Sequence, residues 1–167
     1  MTTTAPATIP APSYPARIAA AGEALARIRA LPRPLVFTNG VFDVLHRGHV
    51  TYLEQARALG ASLVVAVNSD ASVRRLGKGH DRPLNPLADR MAVLAALAAV
   101  DLVVPFDADT PRDLVAACLP DVLVKGGDYT AETTAGAAEV VAAGGRFVAI
   151  PFSSPHSTSA LVKRIRG

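Results

Sequence analysis

The sequence predicts an α/β fold, a Rossmann-like, doubly wound sheet of five parallel strands. Short apolar runs alternate along the chain with segments of helical periodicity, which is the order found in repeated β-α-β units. The runs are apolar throughout, as expected where helices cover both faces of a parallel sheet. Half of the 167 residues are hydrophobic and 19% are charged, which is enough apolar material for one core.

The first elements follow from apolar spacing and stop signals. Apolar residues on one helical face predict a helix over residues 16–31, which Pro32 ends. The apolar run 35–38 predicts the first strand. Helical spacing then predicts a helix over residues 48–59, with Gly60 as its stop.

The remaining elements repeat this alternation. The continuous run Leu-Val-Val-Ala-Val predicts a strand at 63–67, and residues 69–86 are predicted to be a loop. The same criteria predict helices over 87–98, 111–119, 135–143 and 158–165, and strands over 102–104, 122–124 and 147–150. Ligands bind beyond the carboxyl ends of such strands, so the segments that follow them are the places to seek a site.

Domain organisation and compartment follow from the ends of the chain and its single cysteine. Residues 1–15 contain four prolines and are predicted to be a flexible tail, which leaves residues 16–167 as one domain. Cys118 alone excludes an intramolecular disulfide and a cysteine-based zinc site, and its apolar surroundings favour a buried thiol. Neither a signal peptide nor a membrane span is evident, so a cytoplasmic protein without membrane contact is expected.

The net charge of +3 comes almost entirely from arginine, with 14 Arg against 3 Lys. Arginine binds phosphate well because of its planar fork, although codon bias could also enrich it. No basic run is interleaved with aromatic residues, so nucleic acid is not an expected partner. Lys78, Arg82, Arg90 and Lys125 follow predicted strand ends or begin a predicted helix, and at these places the excess points to small anionic substrates.

The segment after the first strand carries the strongest chemical signal. Gly40 lets the backbone turn closely beneath a ligand. His46 and His49 are three residues apart where a helix begins, so both imidazoles can point to one side. Helix N-termini favour anions, and the two imidazoles could donate hydrogen bonds to phosphate oxygens. Metal binding by this pair is the weaker alternative, since no third ligand is nearby.

This segment, Thr-Asn-Gly-Val-Phe-Asp-Val-Leu-His-Arg-Gly-His from Thr38 to His49, resembles the nucleotidyltransferase superfamily with the His-x-Gly-His signature. Further segments, at 77–90, 104–111 and 121–129, resemble the adenylyltransferases that activate D-glycero-β-D-manno-heptose 1-phosphate. The resemblance covers residues 16–166 and implies a fold of the nucleotidyltransferase type. Many members carry this domain behind a sugar kinase, and the present chain resembles the stand-alone form.

The resemblance implies transfer of AMP from ATP to the heptose 1-phosphate, which gives ADP-heptose and pyrophosphate for the inner core of lipopolysaccharide. Mg²⁺ is expected to arrive with ATP, bound chiefly through phosphates, and no metal ligand is predicted. Homodimers are common among similar enzymes. The apolar face of the helix over residues 16–31 could form such an interface or could simply cover the sheet.

The resemblance also implies roles for individual residues. The catalytic residues are predicted to be His46, His49, Lys78 and Arg90. The nucleotide-binding residues are predicted to be Thr38, Asn39, Gly40, Phe42, Gly48, Lys125, Gly127, Asp128, Ser157, Thr158 and Ser159. The sugar-phosphate-binding residues are predicted to be Asp43, Asn68, Asp70 and Arg82.

Structural alternatives remain for several of these residues. A salt bridge to Asp89 or Asp101 would also explain Arg90, and an Asx-turn would explain Asn68 and Asp70. Two other functions also stay open. One is cytidylyl transfer to glycerol 3-phosphate or another small phosphate. The Arg and the Trp that are typical of two segments in the glycerol-phosphate cytidylyltransferases are absent from the equivalent segments here. The other is a non-catalytic nucleotide-binding module, against which the intact basic residues argue.

Overall fold

The computed structural model describes residues 9–77, 81–151 and 158–166. Its centre is one five-stranded sheet in which every adjacent pair of strands is parallel, in the order β3-β2-β1-β4-β5. The strands are β1 (Leu35–Gly40), β2 (Ser62–Asn68), β3 (Leu102–Phe106), β4 (Val122–Gly126) and β5 (Arg146–Ile150). The predicted fold class and all five predicted strands are confirmed, each strand being one or two residues longer than predicted.

Helices cover both faces of this sheet. They are α1 (Ala24–Arg29), α2 (Arg47–Arg57), α3 (Asp70–Arg75), α4 (Leu87–Ala95), α5 (Arg112–Cys118), α6 (Ala137–Ala142) and α7 (Thr158–Arg166). On one face, Leu53 of α2 and Leu94 of α4 pack on the strands. On the other face, Ile28 of α1, Val115 of α5 and Val140 of α6 do the same. Every residue of β2 is buried as a result, which explains its unbroken apolar run.

The predicted helix over residues 16–31 is wrong in its first half. Two short 3₁₀ helices, Tyr14–Arg17 and Ala21–Glu23, precede α1. Between them Ile18 is extended and forms a parallel bridge to Val103, while the backbone N–H of Ala19 donates to the Val103 carbonyl at 3.0 Å. This segment pairs with the outer edge of β3. The tertiary contact is the reason that the residues do not form a helix, although their apolar spacing is helical.

The predicted loop over residues 69–86 is wrong at its start, where α3 forms. Ser69 caps this helix, since its hydroxyl accepts a hydrogen bond from the backbone N–H of Ser72 at 3.0 Å. Only Val73 supplies a fully buried apolar side chain to the helix, so the segment has too little apolar periodicity to be recognised. The helix matters because it follows β2 directly and borders the site.

The ends of the domain are described only in part. Residues 1–8 of the predicted tail lie outside the described residues, whereas Tyr14 packs against the core. Cys118 is buried, as expected, and burial raises the pKa of its thiol to about 11. No helix in the described part of the chain is long and apolar enough to cross a membrane.

Candidate active site

The chain turns after β1, and this turn lies at the base of the candidate site. Phe42 adopts a positive φ of 48°, which is unusual for a residue with a side chain. Its ring folds back over Gly40, where an added Cβ would lie 2.9 Å from a ring carbon. The same ring meets His49 edge-on, with the centroids 5.4 Å apart. Gly40 is therefore needed for this packing, and the turn holds an aromatic ring beside the imidazole pair.

The two histidines lie together at the start of α2. Their rings stack with centroids 3.9 Å apart and planes inclined by 29°. His46 is the N-cap residue of α2, and its Nδ1 accepts a hydrogen bond from the backbone N–H of Gly48 at 3.1 Å. Because Nδ1 is an acceptor, a neutral His46 carries its proton on Nε2. The predicted imidazole pair at a helix N-terminus thus exists as a structural unit.

His49 is held in its neutral form. Burial, followed by the neighbouring charge of His46, lowers the pKa of His49 to about 4. Its Nδ1 is buried without a hydrogen-bond partner among the described residues. A neutral imidazole can both donate and accept, so His49 at neutral pH offers one N–H without adding a full charge to the site.

The neutral state of His49 predicts an acid-sensitive stability. Between pH 6.5 and 4 the unfolded chain binds a proton at this residue and the folded chain does not, so the free energy of unfolding falls as the pH falls. The loss should approach about 3 kcal/mol below pH 4. Urea titrations from pH 7.5 to 4 would measure it for the unchanged chain and for His49→Gln. Carboxylates titrate in both proteins, so equal slopes in the two would contradict the assignment.

A cavity of about 650 Å³ opens at the carboxyl ends of the strands. Nine of the predicted site residues line it, namely Asn39, Gly40, Phe42, Asp43, His49, Asn68, Arg82, Lys125 and Thr158. They come from β1, α2, β2, β4, α7 and the segment before α4, which are distant in sequence. The structure therefore brings together nine of the nineteen residues predicted for the site, at the carboxyl ends of the strands.

Lys125 places a cation at the end of β4. Its Nζ donates to the backbone carbonyl of Asn39 at 3.2 Å and lies 5.6 Å from the centre of the Tyr129 ring. The side-chain oxygen of Asn39 is buried without a partner among the described residues. Since β4 and β1 are neighbours in the sheet, this cation and this unsatisfied acceptor border the same part of the cavity.

Three hydrogen-bond donors hold the Asp43 carboxylate in place. It accepts from the backbone N–H groups of Leu84 and Asn85 at 2.8 Å and from Arg82 Nε at 2.5 Å. Burial opposes its charge, but these donors outweigh that effect and keep the pKa of Asp43 below its ordinary value. The observed contacts of Asp43 are thus internal, and its predicted role toward the sugar phosphate stays a prediction. Arg82 also reaches the cavity.

Arg90 is completely buried and joins three segments. Its guanidinium donates to the carbonyls of Val41 (2.7 Å) and Asn68 (2.9 Å), which follow β1 and end β2, and to the Asn85 carbonyl (3.0 Å). It also pairs with Asp70 at 2.6 Å, rather than with Asp89 or Asp101. Arg90 does not line the cavity, so the described contacts give it a positioning role, and direct phosphate contact remains a prediction.

Other predicted residues lie beside the cavity rather than in its wall. The hydroxyl of Thr38 is buried and hydrogen-bonded to the Tyr52 hydroxyl, in the core beneath the site. Asp70 pairs with the buried Arg90 and does not line the cavity. Four more predicted residues do not line the cavity, namely His46, Gly48, Gly127 and Asp128. Lys78, Ser157 and the side chain of Ser159 lie outside the described residues.

Thr158 begins α7, the last helix, as predicted. Its hydroxyl donates to the carbonyl of Val44 at 3.1 Å, which fastens the start of α7 to the turn before α2. The starts of two helices, α2 and α7, therefore meet at the cavity. Exposed N–H groups at such helix starts favour bound anions.

The structure adds cavity residues for which no site role was predicted. Two segments supply them, Asp109, Thr110 and Pro111 after β3 and Tyr129, Thr133, Thr134 and Ala135 after β4. Both segments follow strand ends, which is a positional signal. Residues 109–111 and Tyr129 lie in segments that carry the family resemblance, but no role was predicted for them, so the sheet topology is what identifies them as cavity residues.

A parallel sheet with an imidazole pair at a helix start, above a glycine turn and beside a lysine, defines a nucleotidyltransferase. A model of the cytidylyltransferase-like family matches residues 37–164. The chain belongs to this family.

Individual relatives extend the likeness. The chain is 59% identical over 155 residues to the D-beta-D-heptose 1-phosphate adenylyltransferase of Bordetella bronchiseptica, covering 92% of this chain and 96% of that protein. It is 59% identical over 143 residues to the bifunctional protein HldE of Alkalilimnicola ehrlichii, covering 86% of this chain and 30% of that longer protein. A crystal structure of a lipopolysaccharide core biosynthesis protein from Thermoplasma volcanium superposes with a TM-score of 0.59 at 29% identity, over 73% of this chain and 98% of that one.

Proposed function

We propose that the chain transfers AMP from ATP to D-glycero-β-D-manno-heptose 1-phosphate and releases pyrophosphate, which supplies ADP-heptose for the lipopolysaccharide core. The observation that carries the proposal is the stacked pair of His46 and His49 at the start of α2, beside a cavity that also contains Lys125. The likeness to an adenylyltransferase over nearly all of both chains supports this choice of substrates.

The reaction needs positioning and charge neutralisation more than acid-base chemistry. An oxygen of the sugar phosphate attacks the α-phosphorus of ATP, and a new P–O bond forms as the bond from this phosphorus to the leaving pyrophosphate breaks. The nucleophile is already an anion, so no strong base is required. His46, His49 and Lys125 supply N–H donors to the phosphate oxygens as charge redistributes. The N–H groups at the start of α2 add to the same effect.

Mg²⁺ would enter the site on the phosphates of ATP, where it offsets their negative charge. Among residues 9–77, 81–151 and 158–166, no group of three or more His, Cys, Asp or Glu side chains could hold a metal ion. The cavity offers the nitrogen donors of His49, Arg82 and Lys125, which suit the phosphates themselves. This donor set supports a metal carried by the substrate.

The proposal is tested by pyrophosphate release from purified protein with Mg²⁺, ATP and heptose 1-phosphate, with the product identified as ADP-heptose by mass spectrometry. CTP, GTP and UTP with the same acceptor, and glycerol 3-phosphate with each nucleotide, are the matched comparisons. We expect ATP with heptose 1-phosphate to give the highest kcat/KM. Equal or better turnover of CTP with glycerol 3-phosphate would establish cytidylyl transfer instead. No pyrophosphate from any pair would indicate a nucleotide-binding module without activity.

Two predictions about assembly stay with this proposal. We infer that residues 16–167 form a single domain. Association of two copies as a homodimer stays a prediction from similar enzymes, since the apolar face of α1 covers the sheet, with Ala24 and Ile28 buried. Light scattering over a concentration series measures the second directly, and a monomeric mass throughout would contradict it.

A further inference from the structure

The residues that line the cavity supply two kinds of chemistry. His49 and Lys125 offer nitrogen donors. The segments after β3 and β4 contribute a carboxylate and hydroxyl groups from Asp109, Thr110 and Thr133. Phosphates are acceptors only, so the nitrogen donors suit them. Carboxylate and hydroxyl oxygens instead suit a ligand that offers O–H donors.

The side chains predicted for the sugar phosphate are mostly engaged elsewhere. The Asp43 carboxylate is used by Arg82 and by two backbone N–H groups. Asn68 Nδ2 donates to the Ser72 hydroxyl, and Asp70 pairs with the buried Arg90. Partners for the hydroxyl groups of a sugar must therefore come from other cavity residues.

Asp109 and Thr110 have the required capacity. The Asp109 side chain is 69% exposed, and its Oδ1 accepts from Arg75 Nε at 2.7 Å. Its other carboxylate oxygen and the Thr110 hydroxyl have no hydrogen bond to any described residue. Arg75 belongs to α3, so this ion pair holds the carboxylate at the cavity edge between α3 and α5.

We propose that Asp109 and Thr110 bind the hydroxyl groups of the acceptor sugar, an inference that rests on the proposed function. An ionised carboxylate can accept hydrogen bonds from two neighbouring hydroxyls of a ring. It also repels phosphate, so it fixes the orientation of the acceptor, with the hydroxyl end at Asp109 and the phosphate end at the nitrogen donors. Two strands separate the end of β3 from that of β4, which carries Lys125, so these groups are spaced across the sheet.

A neighbouring aspartate provides a matched control. Asp107 pairs with the same Arg75, at 3.7 Å, and its side chain is 71% exposed. It also accepts a hydrogen bond from the Ser69 hydroxyl, but it does not line the cavity. Asp107→Ala therefore removes a carboxylate of similar exposure and the same ion-pair partner, while it leaves the cavity wall unchanged.

The test measures KM for heptose 1-phosphate and for ATP in Asp109→Ala, Thr110→Val, Thr110→Ser and Asp107→Ala. Loss of a hydrogen bond to a charged group should raise KM for the sugar phosphate about 10- to 100-fold in Asp109→Ala. Thr110→Val should raise it about 3- to 10-fold, and Thr110→Ser, which keeps the hydroxyl, should restore it. KM for ATP should stay within about twofold, and Asp107→Ala should match the unchanged chain.

Calorimetric binding of the sugar phosphate, with a non-hydrolysable ATP analogue present, separates this inference from the proposed function. Failure of the unchanged chain to bind heptose 1-phosphate would overturn both. Binding that Asp109→Ala leaves unaltered would overturn the subsite alone. A rise in KM for ATP without a rise for the sugar phosphate would assign Asp109 to the ribose of the nucleotide and contradict the acceptor assignment. An equal rise in KM for the sugar phosphate in Asp107→Ala and Asp109→Ala would show that both act through Arg75, and it would contradict direct binding by Asp109.

Discussion

His49→Ala is expected to lower kcat about 10²- to 10³-fold in the proposed reaction, because it removes an imidazole N–H that would stabilise developing charge on the phosphates. His46→Ala should cause a loss of the same order. The two rings stack at 3.9 Å, so the double variant should lose less than the product of the single losses. Steady-state pyrophosphate release at saturating ATP measures all three.

The N-cap contact of His46 must be separated from its contact with phosphate. His46→Asn keeps a side-chain acceptor for the backbone N–H of Gly48, since Asn is a favourable N-cap residue. We expect it to retain the fold and still lose most turnover. Val50→Ala, at a site on α2 that is 38% exposed, is the control and should keep near-normal kcat. Near-normal rates in both His46→Asn and His49→Ala would remove the central role of the pair.

Arg90→Met is expected to destabilise the fold by about 3–5 kcal/mol, because it leaves the Asp70 carboxylate and three backbone carbonyls without their donor. Arg90→Lys keeps the charge but not the planar fork, and should recover only part of this loss. Urea unfolding followed by far-UV circular dichroism gives the free energies of unfolding. Arg75→Ala removes exposed ion pairs with Asp107 and Asp109 and should leave the free energy of unfolding nearly unchanged.

Kinetics on the folded fraction distinguish the two roles considered for Arg90. A positioning residue acts through the turn after β1 and the end of β2, so Arg90→Lys should lower kcat with little change in KM for ATP. Full stability of Arg90→Met together with a large rise in KM for ATP would instead support direct contact with the nucleotide phosphates.

The elements that periodicity predicted best are those whose environment is uniform along their length. β2 is buried at every residue, and its unbroken apolar run made it recognisable. The apolar residues around Ile18 are spaced as in a helix, yet Ile18 pairs with Val103 at the edge of β3. That contact joins residues 85 positions apart, and no local pattern reports it.

The sequence by itself determined the fold class, the imidazole pair and the strand ends at which a site would form. These depend on local features, namely apolar runs, a glycine turn and the spacing of His46 and His49. Only the tertiary structure decided how the charged residues are used. Arg90 and the Asp43 carboxylate are used in internal hydrogen bonds, whereas Asp109 and Thr110, for which the sequence predicted no role, line the cavity. A buried charge must find partners wherever the chain places them in space, and those partners are set by the packing of distant segments.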